Sequence, residues 1–161
     1  MGWNGYHAMN AGQDCLFCTT LHFGGPKSAE IIKEPLGCFD KSLMEIPASA
    51  HLNNLERFDV WIFVAGEVSD YDGKQGPHRF SRGRNPPRLI IDLNIGFADY
   101  VGLDEATVRK NIADGFSACF ERLFAKAVAL KAVKSPDALR EVFYQKISEF
   151  TAANSSEGKP N

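Results

Sequence analysis

Between Lys74 and Arg88 the chain places His78, Arg79, Arg82, Arg84 and Arg88 with no acid among them, and Glu67 and Asp92 flank the stretch. Arginines beside a histidine are the residue types of a phosphoryl-transfer, nuclease or phosphate-ligand site, where fixed cations stabilise charge that develops in the transition state. With Phe80 the same residues could contact nucleic acid, arginine on phosphate and the ring on a base. The plainer reading is a solvated basic loop leading into a strand. Asp92, set between Ile91 and Leu93, then either meets solvent on a polar sheet face or is a paired, buried carboxylate.

A second cluster has the opposite sign. Glu67, Ser69, Asp70, Tyr71 and Asp72 fall at the end of an apolar run and in the loop after it, where a rigid scaffold could present them to a basic partner. Charge complementarity of this kind speeds association and selects partners, with Tyr71, and Trp3 or Tyr6, as aromatic anchors. Read plainly, it is a polar turn.

Four cysteines, Cys15, Cys18, Cys38 and Cys119, are few for a secreted disulfide scaffold. Cys15 and Cys18 have CxxC spacing, yet no second pair and no His-x3-5-His accompanies them, and the β-branched and aromatic surroundings favour a strand over a redox-active helix start. Structural cysteines are expected, with no metal and no cofactor. The chain also lacks a Walker-type loop, GxGxxG, HExxH, GxSxG and an EF-hand loop, so the common enzyme mechanisms have no motif here and no catalytic residue is expected.

At 161 residues, 44% hydrophobic and 24% charged, the chain is of a size and composition to fold as one soluble domain without a staple. The formal charge of -2 gives no general attraction to nucleic acid or anionic lipid. Its distribution is uneven. Residues 1–72 hold four basic and ten acidic side chains, whereas residues 73–91 hold five basic ones and no acid, so a polyanion would meet repulsion beside any basic footprint. The apolar runs are too short to span a membrane, and the first residues lack the regions of a signal peptide, from which a cytoplasmic location is expected.

The elements that must position these residues run strands first and helices last. Residues 15–23 read as a strand stopped by Gly24, Gly25 and Pro26; Ser28 to Lys33 as a short helix; Leu43 to Ile46 as a short strand. Phe58 to Val68 is the clearest strand, apolar on both faces in its middle and so central. Arg88 to Ile95 is the next, started by Pro86 and Pro87. Val108, Ile112, Phe116, Cys119, Phe120, Leu123, Ala127 and Leu130 recur at helical spacing over 104–132, and a second helix opens at Ser135 and Pro136 with Leu139, Val142, Phe143, Ile147 and Phe150 inward. This order predicts an α+β domain over 1–153, an antiparallel sheet covered on one side by a C-terminal helical hairpin, with a disordered tail at 154–161.

The segments Phe58 to Gly66 (FDVWIFVAG) and Arg88 to Gly96 (RLIIDLNIG), joined by a glycine-rich turn and followed by helices, resemble the small immunity proteins of bacterial polymorphic toxin and contact-dependent growth inhibition systems. The resemblance covers the central portion and the order of elements. It implies a non-enzymatic inhibitor that binds one cognate toxin domain, often a nuclease. It also implies that Glu67, Asp70, Tyr71 and Asp72 would meet a basic toxin surface, whereas the basic stretch Lys74 to Arg88 fits better against an acidic partner. The alternative is a small enzyme or phosphate-ligand binder using His78, Arg79, Arg82, Arg84 and Arg88.

Overall fold

The structure, a computed structural model, describes residues 6–8, 13–23, 39, 41–43, 45–65, 77–80, 85–96 and 100–157. The elements in chain order are β1 (Tyr6–Ala8), β2 (Phe17–Phe23), α1 (Ala48–His51), β3 (Phe58–Ala65), β4 (His78–Phe80), β5 (Arg88–Gly96), α2 (Glu105–Ala129) and α3 (Pro136–Glu157). The five strands form one sheet in the order β1-β2-β3-β5-β4.

The antiparallel sheet expected from the sequence does not form. The three central strands β2, β3 and β5 run parallel, and only the three-residue strands β1 and β4 pair antiparallel, one at each edge. The connections explain the direction. An antiparallel pair can be closed by a two-residue turn, but a parallel pair needs a crossover of a dozen or more residues. Residues 24–57 lie between β2 and β3, and residues 66–87 between β3 and β5, so both connections are long enough to bring the chain back to the same end.

Alternation along the parallel strands sorts their side chains onto two faces. Phe17 and Leu21 of β2, Phe58, Val60, Ile62 and Val64 of β3, and Leu89, Ile91 and Ile95 of β5 make the inner face of the core. Against it packs the helical hairpin, through Val108, Ile112, Phe116, Phe120 and Leu123 of α2 and Leu139, Phe143 and Phe150 of α3. Phenylalanines hold the layers together: Phe17 meets Phe58 edge-on at 5.6 Å and Phe116 at 6.2 Å, and Phe120 stacks on Phe143 at 3.9 Å. At Gly115 α2 faces Leu93 of β5, and a Cβ there would make ordinary contact with Leu93 Cδ1 at 3.4 Å.

The hairpin forms where the apolar spacing places it. Asp104 caps α2 by accepting from the Thr107 N–H at 2.7 Å, and α3 opens at Pro136. The turn between the helices is tied to α1: the Lys134 N–H donates to His51 O at 2.8 Å, and Lys134 Nζ donates to Ser49 O at 2.8 Å. Two local expectations differ from what forms. Residues 41–43 are helical and Glu45 lies in a turn, so no strand forms at Leu43 to Ile46; instead Ile46 O accepts from the Leu16 N–H at 2.7 Å. Helix α3 continues to Glu157, beyond the end expected near residue 153. The short helix expected over Ser28 to Lys33 lies outside the described residues.

The hairpin also carries a titratable contact. Tyr144 donates to Glu121 Oε2 at 2.5 Å, and Glu121 pairs with Arg140. Burial, followed by this acceptor, pushes the Tyr144 hydroxyl up to about 12. Between pH 10 and 12 the unfolded chain therefore loses a proton that the folded chain keeps, so stability falls across that window. Urea denaturation at pH 9 and pH 11 should show a decline in the wild type that Tyr144→Phe reduces.

Candidate functional site

The acidic cluster Glu67, Asp70, Tyr71 and Asp72 lies outside the described residues, as do Arg82, Arg84 and Cys38. Its place in the chain is nonetheless defined, because β3 ends at Ala65 and the acidic segment follows directly. His78 and Arg79, expected in a loop, belong to edge strand β4, in register with Ile90 and Leu89. Cys15, Cys18 and Cys119 are buried, and no group of three or more His, Cys, Asp or Glu among the described residues could hold a metal ion.

Arg88 is the member of the basic stretch whose surroundings are clear, and it is occupied. Its Nε donates to Glu56 Oε2 at 2.7 Å and its Nη1 to Asp59 Oδ2 at 3.3 Å. Arg57 joins from the other side, with Nη2 2.9 Å from Glu56 Oε2 and Nη1 donating to Gln13 O at 3.3 Å. The four charges cluster at the amino ends of β3 and β5. Burial pushes the Asp59 carboxyl above its usual range, against the pull of Arg88 and Arg57. At Glu56 burial acts upward too, but the two arginines prevail and hold it below the usual range. Arg88 therefore braces the sheet instead of offering a guanidinium to a ligand.

The sheet face opposite the hairpin has a different character from the core face. Its three rows, read across β2, β3 and β5, are Cys18, Asp59 and Ile90; then Thr20, Trp61 and Asp92; then His22, Phe63 and Asn94. The first row is buried and the next two are half-buried. His22 stacks on Phe63 with ring centres 4.6 Å apart and planes 12° from parallel, and lies 6.0 Å from the Trp61 ring. An outer face bearing Trp, Phe and His at half-exposure, with Asp, Asn and Thr between them, combines apolar area with directed polar groups, the mixture a binding surface needs.

Burial lowers the His22 imidazole from its ordinary value, and the nearby Asp92 charge pulls it back up. His22 is thus neutral at pH 7, and because the unfolded chain takes up this proton first, the group withdraws stability as pH falls below about 6.5. In proton NMR the His22 ring should titrate below 6.5, and Asp92→Asn should move it lower still. A midpoint unchanged by Asp92→Asn would mean that the two groups do not interact.

Of these residues only Asp92 stands out in the sequence; His22, Trp61, Phe63, Thr20 and Asn94 carry no motif there. A signal for two of them was present, since strict alternation in FDVWIFVA places Trp61 and Phe63 on one side of the strand.

The loops leaving β2, β3 and β5 start from the same edge of the sheet, because the strands are parallel. In the last of these connections the Leu103 N–H donates to Tyr100 O at 3.3 Å, with Gly102 at φ 82°, a conformation that glycine adopts without strain. This turn leaves Val101 60% and Leu103 39% exposed. No helix among the described residues is long and apolar enough to cross a membrane. Compared with known proteins, the chain matches no protein-family model, no curated protein and no solved structure.

Proposed function

We propose that this chain acts by binding another protein, as an intracellular antagonist of the immunity-protein kind that neutralises a cognate toxin domain by direct contact. The observation that carries the reading is the half-buried aromatic and polar face formed by His22, Trp61, Phe63, Asp92 and Asn94, on the side of the sheet away from the hairpin. Tryptophan and its aromatic neighbours supply most of the energy at protein contacts when a rigid scaffold holds them. A parallel sheet braced by the helical hairpin is such a scaffold.

The carboxyl edge of the parallel strands extends this surface. In open sheets with parallel strands, ligands favour that edge, because the loops there differ freely while the strands hold them in place. In the sequence Glu67, Asp70, Tyr71 and Asp72 come after the last residue of β3, and exposed Val101 and Leu103 lie in the connection after β5. The acids would steer and select a basic partner, and the aromatic and apolar side chains would anchor it.

Capture tests this. The tagged full chain is immobilised and a lysate of its source organism passed over it. One protein retained at near-equal stoichiometry, and lost from Asp70→Ala with Asp72→Ala but kept by His78→Ala with Arg84→Ala, is the expected outcome. Retention of nothing, or loss through His78 and Arg84 instead, would contradict the proposal.

A further inference from the structure

We infer that the face around Trp61 is a receptor for one arginine side chain of the protein partner, an inference that rests on the protein-binding reading above. Two buried acceptors point to it. Asp92 Oδ1 is buried and accepts no hydrogen bond among the described residues. Asp59, 5% exposed, accepts from Arg88 Nη1 at Oδ2, while its Oδ1 accepts no hydrogen bond among the described residues and lies 3.9 Å from Arg57 Nε.

Both residues adjoin Trp61 on the same face. Asp92 is its register partner on β5, and Asp59 precedes it by two positions on β3. A buried acceptor without a donor is costly, so a ligand that brings donors to it gains what the free protein forgoes.

Charge selects the ligand. Glu56 and Asp59 are matched by Arg57 and Arg88, and His22 is held neutral by burial, so Asp92 leaves the described part of this face with one uncompensated negative charge. A single cation is the complement. Arginine fits better than lysine, because a planar guanidinium can lie over the Trp61 indole while its edge N–H groups donate to the neighbouring Asp92 carboxylate. A compact ammonium cannot do both.

The test uses the full chain carrying Trp3→Phe, so that Trp61 is the remaining tryptophan. Acetyl-Gly-Arg-Gly-amide is titrated in while Trp61 emission is followed, beside the same peptide with citrulline, which keeps the shape without the charge, and with lysine. A saturable change with arginine is expected, at least tenfold weaker with citrulline, weaker with lysine, and at least tenfold weaker in Asp92→Asn. Equal response to arginine and citrulline, no response to either, or unchanged affinity in Asp92→Asn would overturn the site. Should Asp92→Asn lose its native circular dichroism, calorimetry with Trp61→Val replaces it, with the same tenfold loss expected and unchanged affinity overturning the site. A partner captured equally by wild type and Asp92→Asn would overturn the arginine site and leave the protein-binding reading standing. Arginine binding without any captured partner would do the reverse.

Discussion

Phe120→Ala is expected to remove about 3–5 kcal/mol of folding stability, the range for truncating a buried phenylalanine to alanine. Phe120 is fully buried on α2 and occupies the junction of three elements. It stacks on Phe143 of α3 at 3.9 Å, approaches Phe17 of β2 at 6.4 Å, and meets Tyr144 edge-on at 5.8 Å. Truncation leaves a cavity that rigid aromatic neighbours cannot easily refill, and it removes the stacked contact that locks the two helices together. Because a domain of this size is stable by only about 5–15 kcal/mol, the variant should melt far earlier or fail to accumulate. Urea denaturation measures the change. A loss below about 1 kcal/mol would mean that the hairpin is not packed as described.

Arg88→Ala should be the second largest loss, about 3 kcal/mol, near the low end of the range for breaking a buried ion pair. Its side chain is 15% exposed, against 7% for Asp59 and 30% for Glu56, so the cluster is sheltered without being sealed. Removing the guanidinium strips Asp59 of the donor to Oδ2 and leaves a buried carboxylate whose charged form burial already disfavours. Arg88→Lys should recover only part of the loss, since one ammonium cannot donate to Glu56 and Asp59 with the geometry of the fork. Denaturation midpoints of the three proteins decide it. Equal stability of Arg88→Ala and wild type would return Arg88 to the solvent-exposed basic stretch.

The two predictions draw on different levels of legibility. The hairpin could be read directly, because Phe116, Phe120 and Leu123 recur at spacings of three and four and Pro136 marks a helix start; α2 and α3 form there. Strands β2, β3 and β5 were legible from their β-branched and aromatic runs. Their direction is parallel where the order of elements suggests antiparallel, although Val60, Trp61, Ile62 and Phe63, apolar on both sides, and the long connections on either side of β3 are both marks of parallel pairing. Strands β1 and β4 are three residues each, too short for any alternation to register. At the site, the ion-pair cluster could not be anticipated, because Glu56 and Arg88 stand 32 positions apart and meet only through the parallel pairing of β3 with β5. The row Thr20, Trp61 and Asp92 depends on the same register, which only the three-dimensional arrangement supplies.

If the chain binds a protein as proposed, the outer sheet face and the carboxyl edge of the parallel strands, not the hairpin, meet the partner. Hydrogen exchange on the captured complex tests it most directly, with the free chain as reference. Slowed exchange is expected in peptides covering β3, the segment 66–76 and the turn at Tyr100 to Leu103, with unchanged exchange along the outer side of α3. Protection confined to α2 and α3, with β3 and the segment after it unaltered, would contradict it.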